Sequence, residues 1–289
     1  MIKLYSYGKI NLFLDVKGKL ENSYHSIRTV MQSIDLYDEI QLISTEDNKI
    51  LIECNSPSIP LNEENTCYKA ASHIKEKYHI NSGVIIKINK VIPSEAGLAG
   101  GSSNSAAVIK GLNKLWKLNL SVEELLSIGV NIGADVPFCI NGGTYLAEGI
   151  GEKLTKLNDF KWDYILLIKP EFSMSTAFVY NNLTTDNYNL HTNNKIINYI
   201  KHDDYLSTAK STANTLERVV EKFHPEINDI KNIMLQEGAI SSLMTGSGSA
   251  MYGLFPDIKS LNSAYDAFKG IYHQVYMTRT NTFGVKIFD

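Results

Sequence analysis

The stretch Pro93-Ser94-Glu95-Ala96-Gly97-Leu98-Ala99-Gly100-Gly101-Ser102-Ser103-Asn104-Ser105-Ala106-Ala107 decides the reading of this chain. Before it, Val84, Ile86 and Ile88 alternate as in a strand. After it, Ala106, Ile109, Leu112, Leu115 and Trp116 recur at helical spacing. The stretch is therefore a loop feeding a helix. Gly97, Gly100 and Gly101 reach backbone angles closed to other residues, and without Cβ atoms they let the backbone approach an anion. A helix start adds free N–H groups and partial positive charge. Ser102, Ser103 and Asn104 add polar groups that could also reach a metal ion on the phosphates. Phosphate binding follows, with an ordinary turn of small residues as the alternative. The spacing is not GxxxxGK[ST], which excludes a Walker loop. It is not GxGxxG with a suitably placed acidic residue, so a dinucleotide fold is unsupported.

The whole chain sets the frame. It has 289 residues, 44% hydrophobic, enough for one large or two ordinary cores. Lys plus Arg is 28 and Asp plus Glu is 31, a net charge of -3. A chain gripping nucleic acid through its backbone carries a basic excess, so nucleic acid is not expected as a partner. Cys54, Cys67 and Cys139 form no CxxC pair, and read as small hydrophobes in a reducing compartment. Lys3, Lys9 and Asp15 interrupt the N-terminal apolar residues, so no signal peptide is expected there. No stretch approaches the ~20 apolar residues that span a bilayer. The expectation is a cytoplasmic protein with no membrane partner.

Working outward from the loop, Ile10–Val16, Ile40–Ser44 and Ile50–Cys54 read as strands, the last two joined through Glu46-Asp47-Asn48. Cys67, Ala70, Ala71, Ile74 and Tyr78 mark a helix, and Ser121 with Glu124 is a capping box opening another. In the second half, Tyr164–Lys169 reads as a buried strand and residues 181–194 as a mobile polar connection. Two helices follow, stopped at His224-Pro225 and Gly238, then two short strands, a helix near 257–270, and strands near 273–278 and 282–288. That order is close to ferredoxin-like. The break falls near 150–162, giving expected domains of 1–158 and 159–289.

Other segments carry chemistry with a bland alternative beside it. Asp135, in Gly133-Ala134-Asp135-Val136-Pro137-Phe138, sits at a bend. It is either a turn former or the carboxylate that phosphoryl transfer wants as proton acceptor. Lys9, in Gly8-Lys9-Ile10-Asn11-Leu12, opens a strand, where a lysine is usually solvated. Tyr24-His25, taken alone, reads as a bland surface pair. Thr176 and Tyr180, four residues apart, share a face if helical. Met244-Thr245-Gly246-Ser247-Gly248-Ser249-Ala250 is a hairpin turn or a loop packed by the phosphate site.

Taken together, the 93–103 segment, GADVPF at 133–138, GKINL at 8–12, Tyr24-His25 and the 244–250 loop resemble the motifs of the GHMP kinases, in order along nearly the whole chain. The resemblance implies an α+β fold of two domains. The first is like ribosomal protein S5 domain 2 and holds ATP; the second is ferredoxin-like and holds substrate. It implies ATP, with Mg²⁺ bridging its phosphates, bound by Pro93 to Asn104. It makes Asp135 the base and Lys9 the cation that holds Asp135 ionised and offsets charge on the moving phosphoryl group. Asn11 then positions the acceptor hydroxyl, and Thr176 lies near the substrate phosphates. Tyr24, His25 and Tyr180 hold the cytidine of a cytidine diphosphate-linked methylerythritol, phosphorylated on its 2-hydroxyl in isoprenoid precursor synthesis. A monomer or weak homodimer is expected. The chain departs from the family pattern at Ser23, usually Gly, and at Met31, often aromatic.

Overall fold

The computed structural model describes residues 1–21, 23–191 and 195–288. Two long strands, β1 (Ile2–Lys19) and β2 (His25–Thr45), open the chain. Then come β3 (Ile50–Cys54), α1 (Thr66–Lys77), β4 (Gly83–Asn89), α2 (Gly100–Leu115), α3 (Val122–Ile132), α4 (Val136–Asn141), β5 (Thr144–Gly149) and β6 (Lys153–Lys156). The second half holds β7 (Ile165–Lys169), α5 (Thr176–Asn181), α6 (Lys195–Lys201), α7 (Tyr205–Lys210), β8 (Ala213–Asn214), α8 (Glu217–Phe223) and α9 (Glu226–Gln236). It ends with β9 (Ser241–Met244), β10 (Met251–Leu254), α10 (Ile258–Phe268), β11 (Gln274–Thr278) and β12 (Val285–Phe288).

The first sheet runs β12-β1-β2-β4-β3, with β5 on β2, β6 on β5 and β8 on β1. The second runs β11-β7-β10-β9 and is antiparallel throughout. In chain order that is 4-1-3-2, the ferredoxin-like arrangement expected from the element order. β12 does not extend this sheet. It returns to pair with β1, from Lys3 opposite Phe288 to Ser6 opposite Val285. The turn at 46–48 does not close a hairpin either, because β4 inserts between β2 and β3 and pairs with β3 in parallel.

The middle of β1, Tyr7 to Val16, is buried on both faces. Ile10, Leu12 and Phe13 share a cluster with Ile165, Leu167 and Tyr252 of the second sheet, while Leu4 packs with Ile109 and Leu112 of α2. β1 is thus the common wall of both layers. α2 lies close to the first sheet because Gly111 faces Leu42: a Cβ there would stand 2.4 Å from a Leu42 methyl. The Ser121–Glu124 capping box forms as its spacing requires. α4, α6 and α7 are too short to show a periodic pattern. The 181–191 segment makes a 3₁₀ turn at Thr185–Asn187 and donates from Asn189 N–H to Val16 O at 2.8 Å. Residues 192–194 lie outside the described ones. All three cysteines are free; Cys67 and Cys139 are buried, and burial pushes the Cys67 thiol up to about 12. Among the described residues no helix is long and apolar enough to cross a membrane.

Candidate active site

The glycine-rich loop leaves β4 under tension from its first residues. Asp38, fully buried on β2, accepts from Val91 N–H at 2.7 Å and Ile92 N–H at 2.8 Å. Its other oxygen holds Lys90 Nζ at 2.8 Å. Further on, Glu95 and Ala99 take left-handed backbone angles, φ 51 and 56. Each such residue costs about 1–3 kcal/mol and is kept where surrounding packing over-determines it, often at functional sites. Ala99 is the N-cap of α2, yet it has no side-chain oxygen to cap with. The first helical bond runs from Ser103 N–H to Ala99 O. The N–H groups of Gly100, Gly101 and Ser102 therefore have no carbonyl inside the helix to meet. An anion can take that place.

The structure separates the polar residues of this loop into two kinds. Ser103 is fully buried and donates to Tyr7 O at 2.6 Å; Asn104 Oδ1 accepts from Ser6 Oγ at 2.8 Å. These two tie α2 to β1, and their side chains point away from any ligand at the helix start. Ser94, Glu95, Gly97, Ala99, Gly101 and Ser102 keep exposed surface. Gly97 has φ 73, and a Cβ there would stand 2.1 Å from Thr245 O. Gly97→Ala must move the loop off Thr245. It should lower the melting temperature by several degrees, for a strain of about 1–3 kcal/mol, and raise the KM for ATP. Thermal melts with an ATP titration check this; an unchanged pair of values would contradict it.

Lys9 and Asn11 owe their positions to irregular pairing of β1 with β2. The register shifts between Tyr7 and Lys9, and again between Asn11 and Phe13. Such bulges re-aim side chains and cluster near active sites. Lys9 is 4% exposed and donates to Asn11 Oδ1 at 2.6 Å. Asn11 Nδ2 donates to Thr29 Oγ1 at 2.7 Å. Both ends of the Asn11 amide are thus engaged inside the protein. Asn11 thereby supports Lys9 within the site.

Asp135 is the N-cap of α4, half-buried, with no side-chain capping bond. Its carboxylate reaches two other groups electrostatically. It raises the Cys139 thiol, already raised by burial, while Lys9 acts there in the opposite sense. It also raises the Tyr180 hydroxyl, again behind burial. Lys9 and Asp135 thus share one neighbourhood. Among the described residues they form no ion pair within 4.0 Å.

The base-binding candidates divide. His25, 8% exposed at the start of β2, lies 5.3 Å from Tyr180 and 6.0 Å from Tyr188, ring centre to centre. Tyr188 was not singled out by sequence, being hidden in a polar stretch. Tyr24 stays 61% exposed beside the hairpin tip. Ser23 has φ 67, which explains why glycine suits that position. Met31 is buried in the core of the first layer and does not face the trio. Burial, then Lys19, lowers the His25 pKa. The ring is therefore neutral at pH 7, with one donor and one acceptor nitrogen. Because its folded pKa lies below the ordinary value, the unfolded chain takes up the proton first as pH falls. Stability should therefore decline below about pH 6.5, and His25→Gln should flatten that part of the profile in melts between pH 5 and 7. An unchanged slope would contradict the assignment.

Thr176, at the start of α5, shares a hydrogen bond of 2.9 Å with Ser247 Oγ. It sits one turn from Tyr180, as its spacing requires. The 244–249 loop is the meeting point. Thr245 Oγ1 accepts from Asn11 N–H at 3.0 Å, and Ser249 donates to Phe172 O at 2.7 Å. Lys9, Asn11, Gly97 and Thr176 therefore all border one loop. Asp135 acts electrostatically on Tyr180, one turn from Thr176.

Comparisons with known proteins place the whole chain. The model of the GHMP kinases N terminal domain matches residues 65–143, and that of GHMP kinases C terminal matches 198–274. A 4-diphosphocytidyl-2-C-methyl-D-erythritol kinase of Clostridioides difficile is 44% identical over 99% of this chain and 97% of its own length. One of Acetivibrio thermocellus is 46% identical over 96% and 99%. A crystal structure of 4-(cytidine 5'-diphospho)-2C-methyl-D-erythritol kinase superposes with TM-score 0.82 at 26% identity, covering 96% of this chain and 99% of that one. A homoserine kinase from Cytophaga hutchinsonii, TM-score 0.79 at 19% identity, shares the fold. With both halves matched in order and relatives this similar end to end, the chain belongs to the GHMP kinases, in the group of 4-diphosphocytidyl-2-C-methyl-D-erythritol kinases.

Proposed function

We propose that this chain transfers the γ-phosphoryl group of ATP to the 2-hydroxyl of 4-diphosphocytidyl-2-C-methyl-D-erythritol, giving the 2-phosphate and ADP. One observation carries the reading. An uncapped glycine-rich helix start, a carboxylate without a capping hydrogen bond and a His–Tyr pair come near one another, Gly133 lying beside Ser102 and Asp135 acting on Tyr180. The first suits a polyphosphate, the second a hydroxyl proton and the third a pyrimidine. The names of the relatives support the same substrate.

In this reading the acceptor hydroxyl gives its proton to Asp135 as its oxygen bonds to the γ-phosphorus. The bond from phosphorus to the ADP oxygen breaks, and the electron pair leaves with ADP. Lys9 offsets the charge spreading over the moving group. Gly100, Gly101 and Ser102 hold the phosphates through backbone N–H groups, within a binding segment spanning Pro93 to Asn104. His25 and Tyr180 hold the cytosine, Tyr24 covers it from the exposed side, and Thr176 lies by the substrate phosphates. Mg²⁺ takes oxygen ligands and keeps several from phosphates and water. Such an ion suits this cleft, where no group of three His, Cys, Asp or Glu exists among the described residues. Ser102 is the hydroxyl that would hold it, and it would neutralise phosphate charge. Residues 1–158 would carry the nucleotide and 159–289 the substrate. A cytoplasmic monomer or weak homodimer, with no nucleic acid or membrane partner, fits the net charge and free thiols.

Product analysis tests this directly. Incubation with ATP, Mg²⁺ and the cytidylated substrate should yield a new phosphomonoester phosphorus resonance beside the intact diphosphate pair. Loss of the diphosphate signals without a new monoester would contradict the reaction. Tyr180→Ala should weaken substrate binding by about 1–3 kcal/mol, as for a lost base stack. Tyr24→Ala should cost less, since its ring is mostly exposed. Equal Michaelis constants for Tyr180→Ala and the unmodified enzyme would remove Tyr180 from the base site.

A further inference from the structure

The segment Asn214-Thr215-Leu216-Glu217 lies outside the phosphate loop and carries three of the chain's buried polar side chains, Asn214, Thr215 and Glu217. Asn214 is 5% exposed and Glu217 is 4% exposed. Asn214 Nδ2 donates to two carbonyls, Met244 O and Gly246 O, each at 2.8 Å. Its Oδ1 accepts from Leu216 N–H at 2.9 Å, which fixes the rotamer. Glu217 Oε2 accepts from Met244 N–H at 2.8 Å, and its other oxygen is held by Lys231 of α9. β8 and α8 thus grip the Met244–Gly246 backbone at three polar atoms.

What that backbone does makes the grip more than packing. Thr245, between the held carbonyls, receives Asn11 N–H on its hydroxyl, and its own carbonyl stands where a Gly97 Cβ would be. Gly246 faces Lys9: a Cβ there would stand 3.3 Å from Lys9 Nζ. The same three residues therefore form the back wall of both the catalytic lysine and the phosphate loop. A loop with several glycines has no stiffness of its own to hold that wall.

We propose that Asn214 and Glu217 are positioning residues for the phosphoryl transfer. They act through Met244–Gly246 to set Lys9 against the acceptor. The inference rests on the kinase reading above. It predicts a defect in turnover and not in ligand binding. A misplacement of about 1 Å from a residue remote from the chemistry can cost about 10²-fold in rate.

The test uses the full chain with ATP, Mg²⁺ and the cytidylated substrate. In Asn214→Ala, kcat should fall about 10²-fold, with both KM values changed less than about threefold and the fold intact by circular dichroism. Combined with Lys9→Met, the loss should fall well short of the product of the two single losses, because residues acting as one unit are non-additive. A folded Asn214→Ala with near-normal kcat would overturn the proposal, and so would a double variant whose loss is the full product. Should Asn214→Ala not fold, Glu217→Gln decides by the same split. It keeps an acceptor for Met244 N–H and loses the charge that holds Lys231. The unmodified enzyme separates the two levels: no turnover there sinks the kinase reading, whereas normal turnover with unaffected variants sinks only the positioning role.

Discussion

Asp135→Asn should reduce kcat by about 10²–10⁴-fold, the range for losing a positioned general base, with the melting temperature nearly unchanged. The two halves of this expectation come from different observations. The chemical half rests on the charges around it: the carboxylate shares its neighbourhood with Lys9 and acts on the Tyr180 hydroxyl. The stability half rests on local structure. Asp135 occupies the N-cap of α4 but makes no capping hydrogen bond, so an amide of the same shape removes no stabilising contact. A spent cap would have cost about 1 kcal/mol on replacement. Steady-state kinetics beside a thermal melt checks both. Near-normal turnover would end the base assignment. A large loss of stability would show that the side chain has a structural task.

Lys9→Met should cost about 10²–10³-fold in kcat, as for removal of one group that stabilises developing charge. Substrate dissociation constants should change little. Stability should hold or rise, which is unusual for a buried residue. The ammonium is 4% exposed and its partner is the neutral Asn11 amide at 2.6 Å, with no carboxylate within ion-pair distance among the described residues. Its burial is therefore only partly compensated. Methionine fills a similar volume without that cost, in the manner of active-site residues kept for function against stability. Lys9→Arg should not rescue turnover, because Gly246 lies beside Nζ, where a Cβ would stand 3.3 Å away, and a wider planar fork carries its charge differently from a point ammonium. A folded Lys9→Met with normal kcat, or one that melts much lower, would contradict this view of the lysine.

What the chain disclosed of its fold follows from how local each signal is. The alternation at Val84, Ile86 and Ile88, the Ser121–Glu124 box and the helices ended by Pro225 and Gly238 are short-range, and the structure holds each near its expected bounds. The order of elements in the second half was enough for its 4-1-3-2 sheet. Pairing partners were less legible. β12 reaches across to β1, and β4 separates β2 from β3, because partner choice depends on which faces the helices cover. The full length of β1 was hidden for a related reason. It is buried on both sides, so its apolar and polar residues do not alternate cleanly.

The site divides along the same line. The glycine loop and the Asp135 bend are contiguous motifs, and the structure gives each the local geometry its spacing requires. Within the loop, sequence could not tell Ser102 from Ser103 or Asn104. Only the packing of α2 on β1 turns the latter two inward. The role of Asn11 in positioning the acceptor hydroxyl came from the family resemblance; what sequence could not show is that Thr29 and Lys9 engage its amide from across and along the strand. Tyr188, Asn214 and Glu217 had no signal. Their partners lie 163, 30 and 27 residues away.

The central claim is one of substrate and base together, and ADP release tests it most directly. Purified protein with Mg²⁺ and ATP would be offered 4-diphosphocytidyl-2-C-methyl-D-erythritol, galactose, homoserine or mevalonate in parallel, with Asp135→Ala as the blank. The account predicts ADP release with the cytidylated substrate alone, lost in the blank. Release with another acceptor, or release that survives in Asp135→Ala, would contradict it.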